Sequence, residues 1–159
     1  MIDWLKINSG GQTGVDRAAL DFALEYKIPC GGWCPKGRIA EDGIIDPKYP
    51  LQEAGSSDPV VRTRLNVDDS DAVLVFVDEK MDEGTIAAVD YAQEKEKPLF
   101  VVYLQMNLAD QEEGLDQFVD EYRVHRVNIV GSRESNSPGI YHKTRYFLDE
   151  LFWKYTGKG

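Results

Sequence analysis

The chain has 159 residues, 42% hydrophobic and 29% charged, with a formal net charge of -10. A chain of this length buries roughly 70% of its extended surface unaided and has no room for two full cores, so one domain spanning 1–159 is expected without disulfide or metal support. With 18 Lys+Arg against 28 Asp+Glu, the mean field repels nucleic acid and anionic lipid. A small anion held by backbone N–H groups and a few local cations stays compatible with it.

The opening Met1-Ile2-Asp3-Trp4 has no basic segment leading into an apolar run. No apolar stretch approaches the roughly 18 residues that span a bilayer, so a cytoplasmic protein with neither membrane nor nucleic-acid partner is expected. The two cysteines, Cys30 and Cys34, fit a reducing compartment. With His125 and His142 they match no common zinc spacing, and no metal site is assigned.

In chain order, Leu5 to Ile7 reads as a strand and Ser9 to Gly14 as a glycine turn. Val15, Ala18, Ala19, Phe22, Ala23 and Tyr26 then recur at helical spacing. The stretch 31–58 is rich in Gly, Pro and charge without periodicity, as in a binding loop or lid. Ser57-Asp58-Pro59 reads as the start of a helix carrying Val60, Val61, Arg64 and Leu65.

Asp71 to Val77 is almost continuously apolar and β-branched, the pattern of a strand covered on both faces. A turn at Gly84, a helix from about Thr85 to Glu96 and a strand at Leu99 to Leu104 repeat the β-α-β rhythm. Leu115, Phe118, Val119 and Tyr122 mark a helix and Val127 to Val130 a strand. The last helix presents Thr144, Phe147, Leu148, Leu151, Phe152 and Tyr155 on one face. The alternation predicts an α/β fold, a three-layer Rossmann-like sandwich on a mostly parallel sheet, with ligand sites beyond the carboxyl ends of the strands.

Four segments carry candidate binding residues. Gly10, Gly11, Gln12, Thr13, Gly14, Asp16 and Arg17 lie between strand and helix, where unpaired N–H groups and the helix dipole favour an anion. The spacing is neither G-x-G-x-x-G nor a P-loop. In the purely structural alternative, Thr13 is an N-cap, Asp16 completes a capping box and the glycines only turn the chain.

Trp33, Lys36 and Arg38 offer an indole and two cations to a phosphorylated ring, or else an edge plug and solvated charges. Glu41 and Asp42 stand ready to accept from ligand amines or hydroxyls, or are solvated acids. Gly84 and Thr85 begin the third helix behind Asp82-Glu83, two acids that weaken a phosphate reading and favour the dipole. In Arg133-Glu134-Ser135, the arginine either clamps an anion or braces the loop, while Ser137 and Pro138 read as N-cap and N1 of the last helix. No nucleophile-base constellation is evident, so no catalytic residue is assigned.

The blocks Ser9 to Asp21, Gly31 to Arg38, Ala40 to Gly43, Tyr49-Pro50-Leu51, Arg62-Thr63, Asn66-Val67, Arg133 to Ser135 and Pro138 to Tyr141 together resemble the molybdenum cofactor carrier family. The resemblance spans nearly the whole chain. It implies a Rossmann-like fold, a homo-oligomer and binding of molybdenum cofactor (molybdopterin), a phosphorylated pterin, as cargo to be stored or delivered. The implied fold is also similar to that of lysine-decarboxylase-like phosphoribohydrolases, which release a base from nucleoside monophosphates. Their Gly-Thr motif is followed by glutamates, whereas Gly84-Thr85 is followed by Ile86-Ala87-Ala88. The missing glutamates count against hydrolysis; a nucleotide N-glycosidase that uses an acid such as Asp16 or Glu83, and a nucleotide sensor, are the alternatives to a binding protein.

Overall fold

The computed structural model describes residues 6–156, with side chains to Trp153. Met1 to Leu5 of the predicted opening lie outside the described residues, as does the side chain of Tyr155. Strand β1 (Lys6–Asn8) leads through the glycine turn into α1 (Val15–Glu25) and β2 (Cys30–Gly31). Four two-residue strands follow, β3 (Trp33–Cys34), β4 (Ile39–Ala40), β5 (Gly43–Ile44) and β6 (Gln52–Glu53). Then come α2 (Pro59–Asp68), β7 (Ala72–Val77), α3 (Glu83–Glu94), β8 (Leu99–Tyr103), α4 (Leu108–Tyr122) and β9 (Arg126–Gly131). A 3-10 turn, Glu134–Asn136, precedes α5 (Ile140–Thr156).

Five strands form the central sheet in the order β2-β1-β9-β7-β8, and every neighbouring pair is parallel. Val75 of β7 stands beside Val130 of β9 on one side and Val101 of β8 on the other. All six residues of β7 are buried, because both of its faces are covered. Leu74 and Phe76 join the side chains of α1, α4 and α5, including Phe22, Leu115 and Phe147. Val73, Val75 and Val77 meet Val67 of α2 and Ala88 and Ala92 of α3. The result is the predicted three-layer Rossmann-like sandwich.

The stretch predicted to be irregular is more ordered than its composition implies. It forms a parallel ladder of β3 with β6 and an antiparallel one of β4 with β5. Both close over a small core of Leu20, Cys34, Ala40, Ile45, Tyr49 and Leu51. Two-residue strands are too short to show alternation, and much of the remaining chain is braced by a side chain. Arg38 donates to the carbonyls of Ile45 (3.2 Å), Asp46 (2.8 Å), Tyr49 (3.0 Å) and Leu51 (3.2 Å), giving backbone acceptors the donors that a ladder would otherwise supply.

Two helix starts differ from the sequence expectation. Helix α3 begins at Glu83, two residues before Thr85, because Asp82 caps it, accepting from the Thr85 N–H at 3.0 Å. Helix α5 begins at Ile140, so Ser137 and Pro138 are not its N-cap and N1. The Glu134 carboxylate reaches back instead and accepts from the N–H groups of Gly139 (2.6 Å) and Tyr141 (3.1 Å). A longer carboxylate from a preceding turn does there what a short serine was expected to do.

Candidate functional site

From β1 the chain runs to β2 on one side, and from β7 it runs to β8 on the other, with β9 between them. Such a reversal leaves a crevice beyond the carboxyl ends of the strands. Three connections surround it: 9–14 after β1, 78–82 after β7 and 132–139 after β9.

The first connection is in intimate contact with the third. Gly14 has φ 77°, and a Cβ placed there would stand 2.3 Å from the Ser132 carbonyl oxygen. Only glycine lets these backbones touch. Gly14 itself is the N-cap of α1 and has no side-chain cap, so the purely structural alternative with Thr13 as N-cap does not hold. The Thr13 hydroxyl donates to Glu41 Oε1 and accepts from the Glu134 N–H at 3.1 Å. Asp16 stands at N2, one position short of the N3 that a capping box requires.

Asp16 turns back into the glycine loop, where its Oδ2 accepts from the Gln12 N–H at 3.2 Å. The flanking amides are engaged as well, Gly11 N–H with Ser9 Oγ (3.3 Å) and Thr13 N–H with Gln12 Oε1 (3.0 Å). The turn therefore does not offer a row of bare amides. The Asp16 carboxylate occupies part of the seat that an external anion was expected to take.

Arg62 faces this carboxylate from α2. Its Nη1 is 3.7 Å from Asp16 Oδ2, and its side chain is 15% exposed. The gap is too long for a hydrogen bond. Arg62 Nε is buried without a hydrogen-bond partner. The guanidinium lies over Gly10, where a Cβ would come within 2.1 Å of Nη1. A partly buried, charged donor with spare N–H groups calls for a ligand or a water to complete it.

Burial pushes the Asp16 carboxyl up to about 6, against the opposing pull of Arg62 and the Gln12 N–H. The neighbouring Asp82 charge adds to the rise, and Arg17 opposes it. Asp82 moves the other way. Burial opposes its ionisation too, but hydrogen bonds from Thr85, Asn136 and the Arg133 N–H hold its carboxyl below the usual range. Two acids of the same crevice are thus driven apart by how many donors each receives.

Gln12, Asp16, Arg62, Thr63, Asp82, Gly84, Thr85 and Arg133 line a narrow recess of about 30 Å³. It opens beside a cleft of about 230 Å³ walled by Gly10, Gln12, Pro35, Ile39, Glu41, Pro59, Arg62 and Arg133. Arg133 also borders an outer hollow of about 550 Å³ with Lys80, Asp82, Gly84 and Asn136. Its Nη1 is 3.9 Å from Glu41 Oε2 and its side chain is 41% exposed, so it remains able to reach a ligand.

Of the residues singled out in the sequence, Gly10, Gln12, Asp16, Gly84, Thr85 and Arg133 line the recess or the cleft. Others hold the walls together. Arg17 donates to the Gly11 carbonyl (3.0 Å) and pairs with Asp42 (3.0 Å). Ser135 donates its hydroxyl to Glu41 (2.5 Å), and Glu134 caps α5. Gly11 and Gly14 shape the loop, and Thr13 ties it to Glu41 and Glu134. Burial works against the Glu41 charge, but hydrogen bonds from Ser135 and Thr13 and the charge of Arg133 hold its carboxyl below the usual range.

Trp33, Lys36 and Arg38 are not brought to the crevice. The Trp33 indole N–H donates to Asp69 at 2.7 Å, and its backbone is strapped to Asn66. Lys36 is exposed, and Arg38 is committed to carbonyls. Arg62, present in the sequence reading only within a family block, lines both recess and cleft, and sequence reasoning did not single it out as a candidate. Its signal was present but faint, for the stripe that α2 buries is Thr63, Asn66 and Val67, continued by the buried Ser70. Three of these four are polar, so hydropathy does not mark the inward face.

Residues 7–152 match the circularly permutated YpsA SLOG family. The chain belongs to that family. It is also similar to a solved structure from Syntrophus aciditrophicus SB named "Putative molybdenum carrier protein", at 39% identity over 94% of each chain and a TM-score of 0.89. No curated protein matches. The likeness to molybdenum carriers expected from the motif blocks thus holds at the level of sequence and fold together.

Proposed function

We propose that the chain binds a small phosphorylated ligand at the carboxyl edge of its sheet and stores or delivers it, with molybdenum cofactor as the cargo. The observation that carries this reading is Arg62, partly buried at the cleft with an unpartnered Nε and no hydrogen bond to its nearest acid. Arg133 reaches the same cleft from another connection. Two guanidiniums from separate elements supply convergent, charge-assisted donors for a phosphate. The name of the Syntrophus structure supplies the molybdenum link.

The test is native mass spectrometry of protein purified without added ligand, followed by denaturation and identification of what is released. A molybdenum-bearing pterin phosphate supports the carrier reading. A released nucleotide instead argues for a nucleotide-binding role.

A second reading, hydrolysis of a nucleotide N-glycosidic bond, is favoured by the divergence of Asp16 and Asp82. One acid sits near 6 and the other is held ionised, a pairing suited to proton transfer. Release of free base from nucleoside monophosphates, lost in Asp16→Asn, would establish it. Binding without base release would remove it.

A further inference from the structure

We propose that the Asp16 carboxylate makes the recess selective for an oxyanion that brings a proton, a phosphate or phosphomonoester, against fully ionised tetrahedral anions such as sulfate and molybdate. This rests on the reading that the cleft holds a ligand's phosphate.

The geometry sets the constraint. A ligand oxygen that reaches Arg62 and the Gln12 amide from the cleft must stand beside Asp16 Oδ2, which accepts from that amide at 3.2 Å and lies 3.7 Å from Arg62 Nη1. The recess, at about 30 Å³, has room for roughly one ligand oxygen. Two bare anionic oxygens at contact repel each other strongly in a site screened from water. A proton between them turns that contact into a short O–H···O hydrogen bond.

The surrounding charges do not relieve the repulsion. Arg62 faces Asp16 from α2, Arg17 from its own helix, Asp82 from the cap of α3, and Arg133 from the connection after β9. Arg17 is already paired with Asp42, and Arg133 lies near Glu41. Asp82 adds negative charge. Local cations and acids are therefore close to balance, with little surplus for a bare dianion.

Burial raises the Asp16 carboxyl to about 6, which matches the second ionisation of a phosphomonoester at about 6. Near neutral pH the proton is then shared between groups of similar affinity. Sulfate and molybdate are fully deprotonated there, so for them the Asp16 carboxyl must take up the proton from solution, a cost that a protonated phosphate does not incur.

The experiment is calorimetric titration of the whole chain near neutral pH with inorganic phosphate, sulfate and molybdate, in buffers of differing ionisation enthalpy. Phosphate is expected to bind about tenfold or more tightly than either competitor, because a site built around a ligand hydroxyl rejects the analogue lacking it. Asp16→Asn is expected to erase the preference by strengthening sulfate and molybdate. The wild-type comparison needs no variant to fold. Equal affinities in the wild type, or a preference unchanged in a folded Asp16→Asn, would overturn the selectivity while leaving the anion site standing. Absence of binding by all three ions would overturn the site reading and the selectivity with it.

Discussion

The Arg62 guanidinium and the Asp16 carboxylate stand 3.7 Å apart above Gly10, a residue with no side chain to separate them from the cleft. Adding a Cβ at Gly10 would place it 2.1 Å from Arg62 Nη1 and 2.9 Å from Asp16 Oδ2. The nearer group is the end of a flexible side chain, so the fold can absorb the change by moving the arginine. Gly10→Ala is therefore expected to lower affinity for a phosphorylated ligand by about tenfold or more, with only a small change in melting temperature. Calorimetry and a thermal melt on the same sample check both halves.

The pH dependence of stability isolates Asp16. Its folded carboxyl is raised from 3.8 to about 6, foremost by burial. A raised acid stabilises the fold fully below the unfolded value and loses that contribution as pH climbs through the folded one. The rise is worth on the order of 3 kcal/mol. Asp16→Asn cannot titrate, so its stability relative to wild type is expected to increase as pH rises from about 4 to about 6, then level off. Urea melts across that range check this; a constant difference between the two proteins would contradict it.

The cap on α5 separates structure from sequence expectation. Glu134→Ala removes the acceptor for the Gly139 and Tyr141 amides and is expected to cost about 1–2 kcal/mol. Ser137→Ala is expected to change stability by less than about 0.5 kcal/mol. Thermal melts of the two variants should differ in that order.

Arg38 and Lys36, both expected as phosphate ligands from their residue types, part company in the same way. Arg38→Ala removes the donor to four carbonyls and is expected to cost about 2–4 kcal/mol of stability. Lys36→Ala is expected to leave both stability and ligand affinity near wild type. Denaturant melts and a binding titration of each variant check the pair.

These contrasts show what was legible in the chain. The sheet and its helices were readable because Ala72 to Val77 is buried on both faces, and because Val15, Ala18, Ala19 and Phe22 recur at helical spacing. The glycine turn, Asp16 and Arg133 were readable because they sit at strand ends, where the fold must open a crevice. Arg62 was not, since it lies about fifty residues beyond the glycine turn on a helix whose buried stripe is mostly polar. The internal use of Asp16 was hidden for another reason. A first-turn carboxylate can point outward or back at Gln12, and the groups that face Asp16 across the crevice, Arg62 and Asp82, lie far from it along the chain.

The most direct test of the account is an amide and arginine-side-chain NMR titration of the protein with inorganic phosphate. The predicted result is concerted shifts in the Gly10 to Asp16 amides and in the Nε–H signals of Arg62 and Arg133, with the signals of Trp33 and Lys36 still. Shifts gathered at Trp33 and Lys36 with Arg62 unmoved would contradict the placement of the site.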